Sequence, residues 1–274
     1  MSLLAIDESK CKQDGFCVRD CPRAIIRIKD KESYPQLVPG SESLCLICGH
    51  CVAVCPHGAL SHKMVPVEDC PPIHKELTID EAQVVQFLRS RRSIRFFKDR
   101  PVDKEKIRRL IEIARYAPTA SNSQRVEWRV FNDKDTVKEF GKMAADWARD
   151  LLAKDPQAAK LPFIPSIVAA WDAGYDAVLR GAPAIVLASA PREDQNGTVN
   201  LTLALSYLEL AAPSLGLGAC WAGLLQGALL GWPPLQKAIG LPEGHSHHYP
   251  MMLGYPKAKY FRLPERKPPK ITWK

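Results

Sequence analysis

Seven of the nine cysteines in this 274-residue chain lie between Cys11 and Cys55. The run CLICGHCVAVCP places Cys45, Cys48, Cys51 and Cys55-Pro56 in a C-x2-C-x2-C-x3-C-P spacing. Three thiolates this close in sequence wrap one face of an iron–sulfur cubane, and the fourth cysteine reaches a second cluster. Zinc sites use two separated ligand pairs instead. A disulfide framework would call for an export signal, and the start, MSLLAIDESK, lacks a basic region and has an apolar run of only Leu3–Ile6. The run CKQDGFCVRDCP repeats the spacing with one change: Cys11, Cys17 and Cys21-Pro22 are present, but Asp14 occupies the second ligand position. Two readings of Asp14 stand. Its carboxylate ligates a fourth iron, giving a 4Fe-4S cluster, or that iron is absent, leaving 3Fe-4S, with Asp14-Gly15 an ordinary turn pair.

Four other segments carry polar chemistry. Arg91, Arg92, Ser93 and Arg95 set three guanidiniums and a hydroxyl within five residues, donors suited to a phosphate. Arginines after a helix also serve simply to complement its dipole. The run APTASNSQ ends in Ser121, Asn122, Ser123 and Gln124, and its amides offer the donors and acceptors that a flavin ring edge needs. The run LGLGACWAG, with Trp221, Ala222 and Gly223 at its end, resembles a dinucleotide glycine loop only superficially, because its glycines follow a helix and miss the G-x-G-x-x-G spacing. Arg266 and Lys267 follow Leu263-Pro264 as a further phosphate contact.

Elements must hold these residues in place. Thr78-Ile-Asp-Glu81 reads as a capping box starting a helix through Val84, Val85, Phe87 and Leu88. A second helix fits Asp103–Ala117, with Ile107, Leu110, Ile111 and Ala114 on one face, and a third fits Thr136–Leu152. Val126, Trp128 and Val130 alternate as a strand. Ala184–Ala188 is a buried strand, Asn200–Leu215 an apolar helix interrupted by Glu209, Gly218–Gly223 a short strand or turn, and Tyr249–Tyr255 a last strand. Residues 154–182 read as irregular, a lid or arm over a pocket. His245, His247 and His248 read as a surface cluster before that last strand, Cys70 as a linker residue, and Cys220 as a packed thiol.

The first 60 residues resemble a two-cluster bacterial ferredoxin. That resemblance implies one 4Fe-4S cluster on Cys45, Cys48, Cys51 and Cys21, and a second cluster on Cys11, Cys17 and Cys55, with Asp14 at its fourth position. Residues 80–270 resemble the nitroreductase family of flavoproteins, and the whole chain resembles its ferredoxin-fused branch. The resemblance implies an α+β fold, a mainly antiparallel sheet flanked by helices, and a homodimer with FMN at the subunit interface. It implies that Arg91, Arg92 and Ser93 grip the phosphate, that Arg95 lies near the pyrimidine edge, and that Ser121, Asn122 and Gln124 contact the ring. Trp221, Ala222 and Gly223 would line the N5 side, and Arg266 and Lys267 would add phosphate contacts. Some relatives carry a glutamate where this chain has Ala222. The expected domains are a ferredoxin-like iron–sulfur domain at 1–62, a linker at 63–77 and an FMN domain at 78–274.

The charge pattern fits such anions. The chain has 38 Lys+Arg against 30 Asp+Glu, a formal +8. Residues 1–74 hold 8 of the basic and 9 of the acidic side chains, so the excess belongs to the second part. No nucleic-acid motif accompanies it, and no apolar span of about 20 residues suits a membrane. The expectation is a cytoplasmic FMN-dependent oxidoreductase, with electrons moving between clusters and flavin to reduce a nitro group, quinone or related conjugated acceptor. The donor would be a ferredoxin or NAD(P)H, and no side-chain nucleophile or general base is required. The alternatives are a relay serving a protein partner, or other flavin chemistry such as reductive dehalogenation.

Overall fold

A computed structural model of the chain describes residues 2–30 and 32–274. Their contacts divide into two units, Met1–Ile79 with Ser121–Ser123, and Asp80–Ala120 with Gln124–Lys274.

In the first unit, β1 (Leu4–Ile6) pairs antiparallel with β4 (Leu60–His62), Leu4 opposite His62. A second ribbon joins β2 (Ile26–Arg27) to β3 (Gln36–Leu37). Each cysteine run contains a one-turn helix, α1 (Phe16–Arg19) or α2 (His50–Ala53). Both begin after a glycine at φ 73°, Gly15 and Gly49, a left-handed conformation that glycine adopts without steric cost. The apolar core is small: Cys17, Val52 and Leu60 form its buried cluster, and Ile25, Ile26 and Ala59 are also buried.

The second unit is built on a four-stranded antiparallel sheet in the order β5 (Glu127–Phe131), β6 (Ala184–Pro191), β8 (His245–Gly254), β7 (Gly218–Trp221). β6 is buried on both faces, which is why its sequence reads as an unbroken apolar run. Successive side chains point to opposite sides. Ala184, Val186 and Ala188 meet α4 (Lys104–Ala114) and α7 (Gly197–Ala211). Ile185 and Leu187 meet α5 (Lys134–Lys154), α6 (Phe163–Asp172), α8 (Gly223–Gly231) and α9 (Pro233–Ile239). The result is an α+β sandwich of helix, sheet and helix layers.

Several expectations change. The helix α3 (Glu81–Ser90) starts two residues later than the Thr78 reading: Asp80 is the cap, its carboxylate accepting from Gln83 N while the Gln83 side chain accepts from Asp80 N. Residues 154–182 are not an irregular arm. They contain α6, whose Ile164 and Ile167 are fully buried in the core. The histidines do not precede a strand but open β8.

Candidate functional site

Two quartets of ligand-type side chains surround two cavities in the first unit. Cys21, Cys45, Cys48 and Cys51 line one, and Cys11, Asp14, Cys17 and Cys55 line the other. Cys21 and Cys55 have therefore crossed from their own runs, each directed there by the one-turn helix and Cys-Pro step. Burial pushes the Cys51 thiol up to about 11, with Cys48, Cys45 and Cys21 adding to the shift. Burial also raises Cys17, followed by Cys55, Asp14 and Cys11. Thiolates so placed repel one another unless cationic metal sits among them. All nine cysteines are free. Among the described residues, no three His, Cys, Asp or Glu side chains converge as a site for one ion, so ligands spread around a cavity fit a polynuclear cluster better than zinc. Asp14 Oδ1 accepts from Phe16 N at 3.1 Å, and Oδ2 lies 3.6 Å from His57 Nε2.

In the second unit, the chain leaving α3 runs beside β7 and the end of β8. Ile94 N donates to Ala219 O at 2.9 Å, and Lys98 N to Tyr255 O at 2.8 Å. Gly218 lets this approach happen, because a Cβ there would fall 2.4 Å from Ile94 Cγ1. Backbone pairing thus brings Arg91–Arg95 beside Trp221.

A buried carboxylate completes the link. Glu209 on α7 is 7% exposed. Its Oε1 accepts from Arg91 Nη1 at 2.8 Å, and its Oε2 accepts from the Trp221 indole N–H at 3.0 Å. Trp221 also packs edge-on against Tyr249, centroids 5.1 Å apart. Arg92 Nη1 donates to the carbonyls of Arg89 and Arg91, while its Nη2 is buried with no partner. An unpartnered buried guanidinium nitrogen needs an acceptor, and a phosphate supplies one. Arg95 makes only a long contact, 3.4 Å, to Ser93 O. These donors fit an FMN phosphate. Burial raises the Cys220 thiol despite the nearby Arg95 and Ser93, so it is packed rather than nucleophilic.

The loop after α4 holds Ser121, Asn122 and Gln124 at φ 52°, 53° and 49°. Three left-handed side-chain-bearing residues this close are strained, at about 1–3 kcal/mol each. Thr119 Oγ1 accepts from Gln124 N at 3.1 Å. Asn122, grouped with the first unit, donates from Nδ2 to the carbonyls of Leu46 and Ile47, both at 3.0 Å. Arg266 and Lys267 lie in an exposed stretch without regular structure. Their neighbour Glu265 pairs with Arg89 at 2.8 Å, which ties the stretch to the last turn of α3. Ala222 caps α8 and Gly223 begins it.

Sequence reasoning missed Glu209 as a site residue. The available signal was a lone carboxylate in an otherwise apolar helix. The three histidines serve the scaffold: His245 Nδ1 meets Ser189 Oγ at 2.9 Å, His247 Nδ1 meets Thr198 Oγ1 at 2.9 Å, and His248 Nδ1 meets Gln226 Oε1 at 3.2 Å.

Comparison with known proteins places these observations. The nitroreductase family model matches residues 88–255, and a 4Fe-4S dicluster domain model matches residues 10–59. An FMN reductase [NAD(P)H] of Bacillus subtilis strain 168 is 29% identical over 198 residues, 67% of this chain and 71% of that protein. A nitroreductase with bound FMN from Bacteroides fragilis NCTC 9343 shares the fold at 20% identity and TM-score 0.58, covering 71% of this chain and 98% of its own. Another with bound FMN, from Desulfitobacterium hafniense DCB-2, gives 22% identity and TM-score 0.56, covering 72% and 99%.

Proposed function

This chain belongs to the nitroreductase family and is an FMN-dependent oxidoreductase with an iron–sulfur domain at its N-terminal side, and we propose that electrons pass between those clusters and the flavin to reduce a conjugated acceptor such as a nitro compound or quinone. The observation that carries the reading is the pair of ligand quartets, each around its own cavity, on the same chain as a nitroreductase unit. FMN, when bound, supplies the exchange between one-electron and hydride-equivalent chemistry.

The chain's own residues bind and orient. Arg92 Nη2 and Ser93 would hold the phosphate. Glu209 fixes the Arg91 guanidinium and the Trp221 indole, so the two ends of the site share one anchor. The N-terminal thiolates would hold the clusters, and Asp14 would be the fourth ligand of the second one, since its carboxylate lines the same cavity as Cys11, Cys17 and Cys55. The working form would be a homodimer. Supporting this, α3 has no buried residue, and Val85, Phe87 and Leu88 are exposed on it, as are Phe261, Ile271 and Trp273 in the C-terminal stretch.

Anaerobic stopped-flow with reduced ferredoxin and with NAD(P)H tests the electron path. Cluster bleaching and flavin reduction should be kinetically linked when electrons enter from ferredoxin. Fast flavin reduction by NAD(P)H while the clusters stay unchanged would overturn cluster-fed flow. Iron near eight per chain in anaerobically purified protein is expected if Asp14 ligates, against about seven for a 3Fe-4S cluster.

A further inference from the structure

His62 is the last residue of β4 and is 2% exposed. Its Nδ1 accepts the Met64 N–H at 3.0 Å. A neutral imidazole that accepts at one nitrogen carries its proton on the other, so the hydrogen is on Nε2. That nitrogen lies 3.6 Å from Cys45 Sγ. The same sulfur takes the Ile47 N–H at 3.4 Å. In the other cavity, Cys55 Sγ accepts from Ala59 N at 3.3 Å, and the chain presents the Asp14 carboxylate. The two quartets carry the same formal ligand charge, but Cys45 Sγ gathers two N–H donors, His62 Nε2 and Ile47 N, where Cys55 Sγ has one.

We propose that His62, by donating its Nε2 hydrogen to Cys45 Sγ, sets the reduction potential of the cluster held by Cys21, Cys45, Cys48 and Cys51 above that of its neighbour. The inference rests on the iron–sulfur reading of the first unit. A donor on a thiolate ligand stabilises the extra negative charge of the reduced cluster more than the oxidised one, and hydrogen bonds to the sulfurs are among the main determinants of cluster potential. The buried position excludes water that would otherwise level the difference. One electron reaching the pair from an external reductant rests on the Cys45 side, and no bond is made or broken there. His62 is a positioning residue in this account, acting through Cys45.

The test is an EPR-monitored potentiometric titration of the full-length, cluster-loaded chain under anaerobic conditions. Two one-electron couples are expected. In His62→Leu the higher midpoint should fall by about tenfold in the reduction equilibrium, about 59 mV for one electron, while the lower one stays. His62→Gln, whose amide can donate from a similar place, should keep the parent value. Unchanged midpoints in H62L, an equal fall in both couples, or the same fall in H62Q would each overturn the proposal. If H62L does not hold iron, pulsed EPR of the unmodified sequence labelled with 15N-histidine replaces it. The first-reduced cluster should show a nitrogen coupling that H62Q loses, and a coupling absent from the parent or retained in H62Q would overturn it. A parent chain without iron would instead overturn the iron–sulfur reading.

Discussion

A carboxylate buried in an apolar helix raises the free energy of the fold unless both oxygens find donors. Glu209 meets that condition with Arg91 and Trp221, residues far apart in sequence, Arg91 being 118 positions away. Removing one partner of such a group leaves the other unsatisfied. Glu209→Ala should therefore destabilise the second unit by about 3 kcal/mol, with Glu209→Gln losing less, as read by urea denaturation. Both variants should also bind FMN more weakly, because Arg91 and Trp221 lose a shared anchor. Arg92→Ala loses the Nη1 bonds to the Arg89 and Arg91 carbonyls and should cost about 1 kcal/mol of stability, and it should lower FMN affinity by about 1.5–3 kcal/mol, the usual loss for a hydrogen bond to a charged group. Fluorescence titration of the apoprotein with FMN separates the two effects.

At the scale of elements, the chain was legible where one residue's neighbours in sequence are also its neighbours in space. The iron–sulfur character of the first 60 residues was legible because most of its cysteines lie in two short runs, where the 4Fe-4S dicluster domain model matches, and α4 was legible because Ile107, Leu110 and Ala114 recur on one buried face. The run Leu224–Leu230 hid α8 because its apolar residues lie on every side, Leu225, Ala228 and Leu229 buried and Leu230 exposed, and leave no polar face, and α9 opens on prolines, which suit a first turn but give no helix period. Proline at 162 and 165 hid α6 in the same way. Glu209's role could not be seen, since it depends on a contact between distant segments. His248 on β8 yields a prediction here. Burial, then His247, holds it below the ordinary 6.5. The unfolded chain takes up the proton first as pH falls, so this stabilisation is complete above about 6.5 and is lost as pH drops through the lowered folded value. His248→Gln should flatten the acid side of the stability profile, measured by denaturation at a series of pH values.

For the whole molecule, the exposed apolar surface on α3 and the C-terminal stretch is what a second copy would cover in the proposed homodimer. Deleting residues 257–274 should convert dimer to monomer in light scattering and release FMN, because Arg266 and Lys267 leave with it. The two units should also differ in what sustains them. The second rests on layered cores on both faces of its sheet, whereas the first has a small buried cluster of Cys17, Val52 and Leu60, two short ribbons and two single-turn helices. A core that small does not hold a fold of this length unaided. Its endurance must come from inorganic material at its centre, so air that corrodes the metal should loosen the backbone around it. A protease added to aerated protein would then trim the N-terminal part first, leaving a yellow remnant no longer able to draw electrons through its own iron.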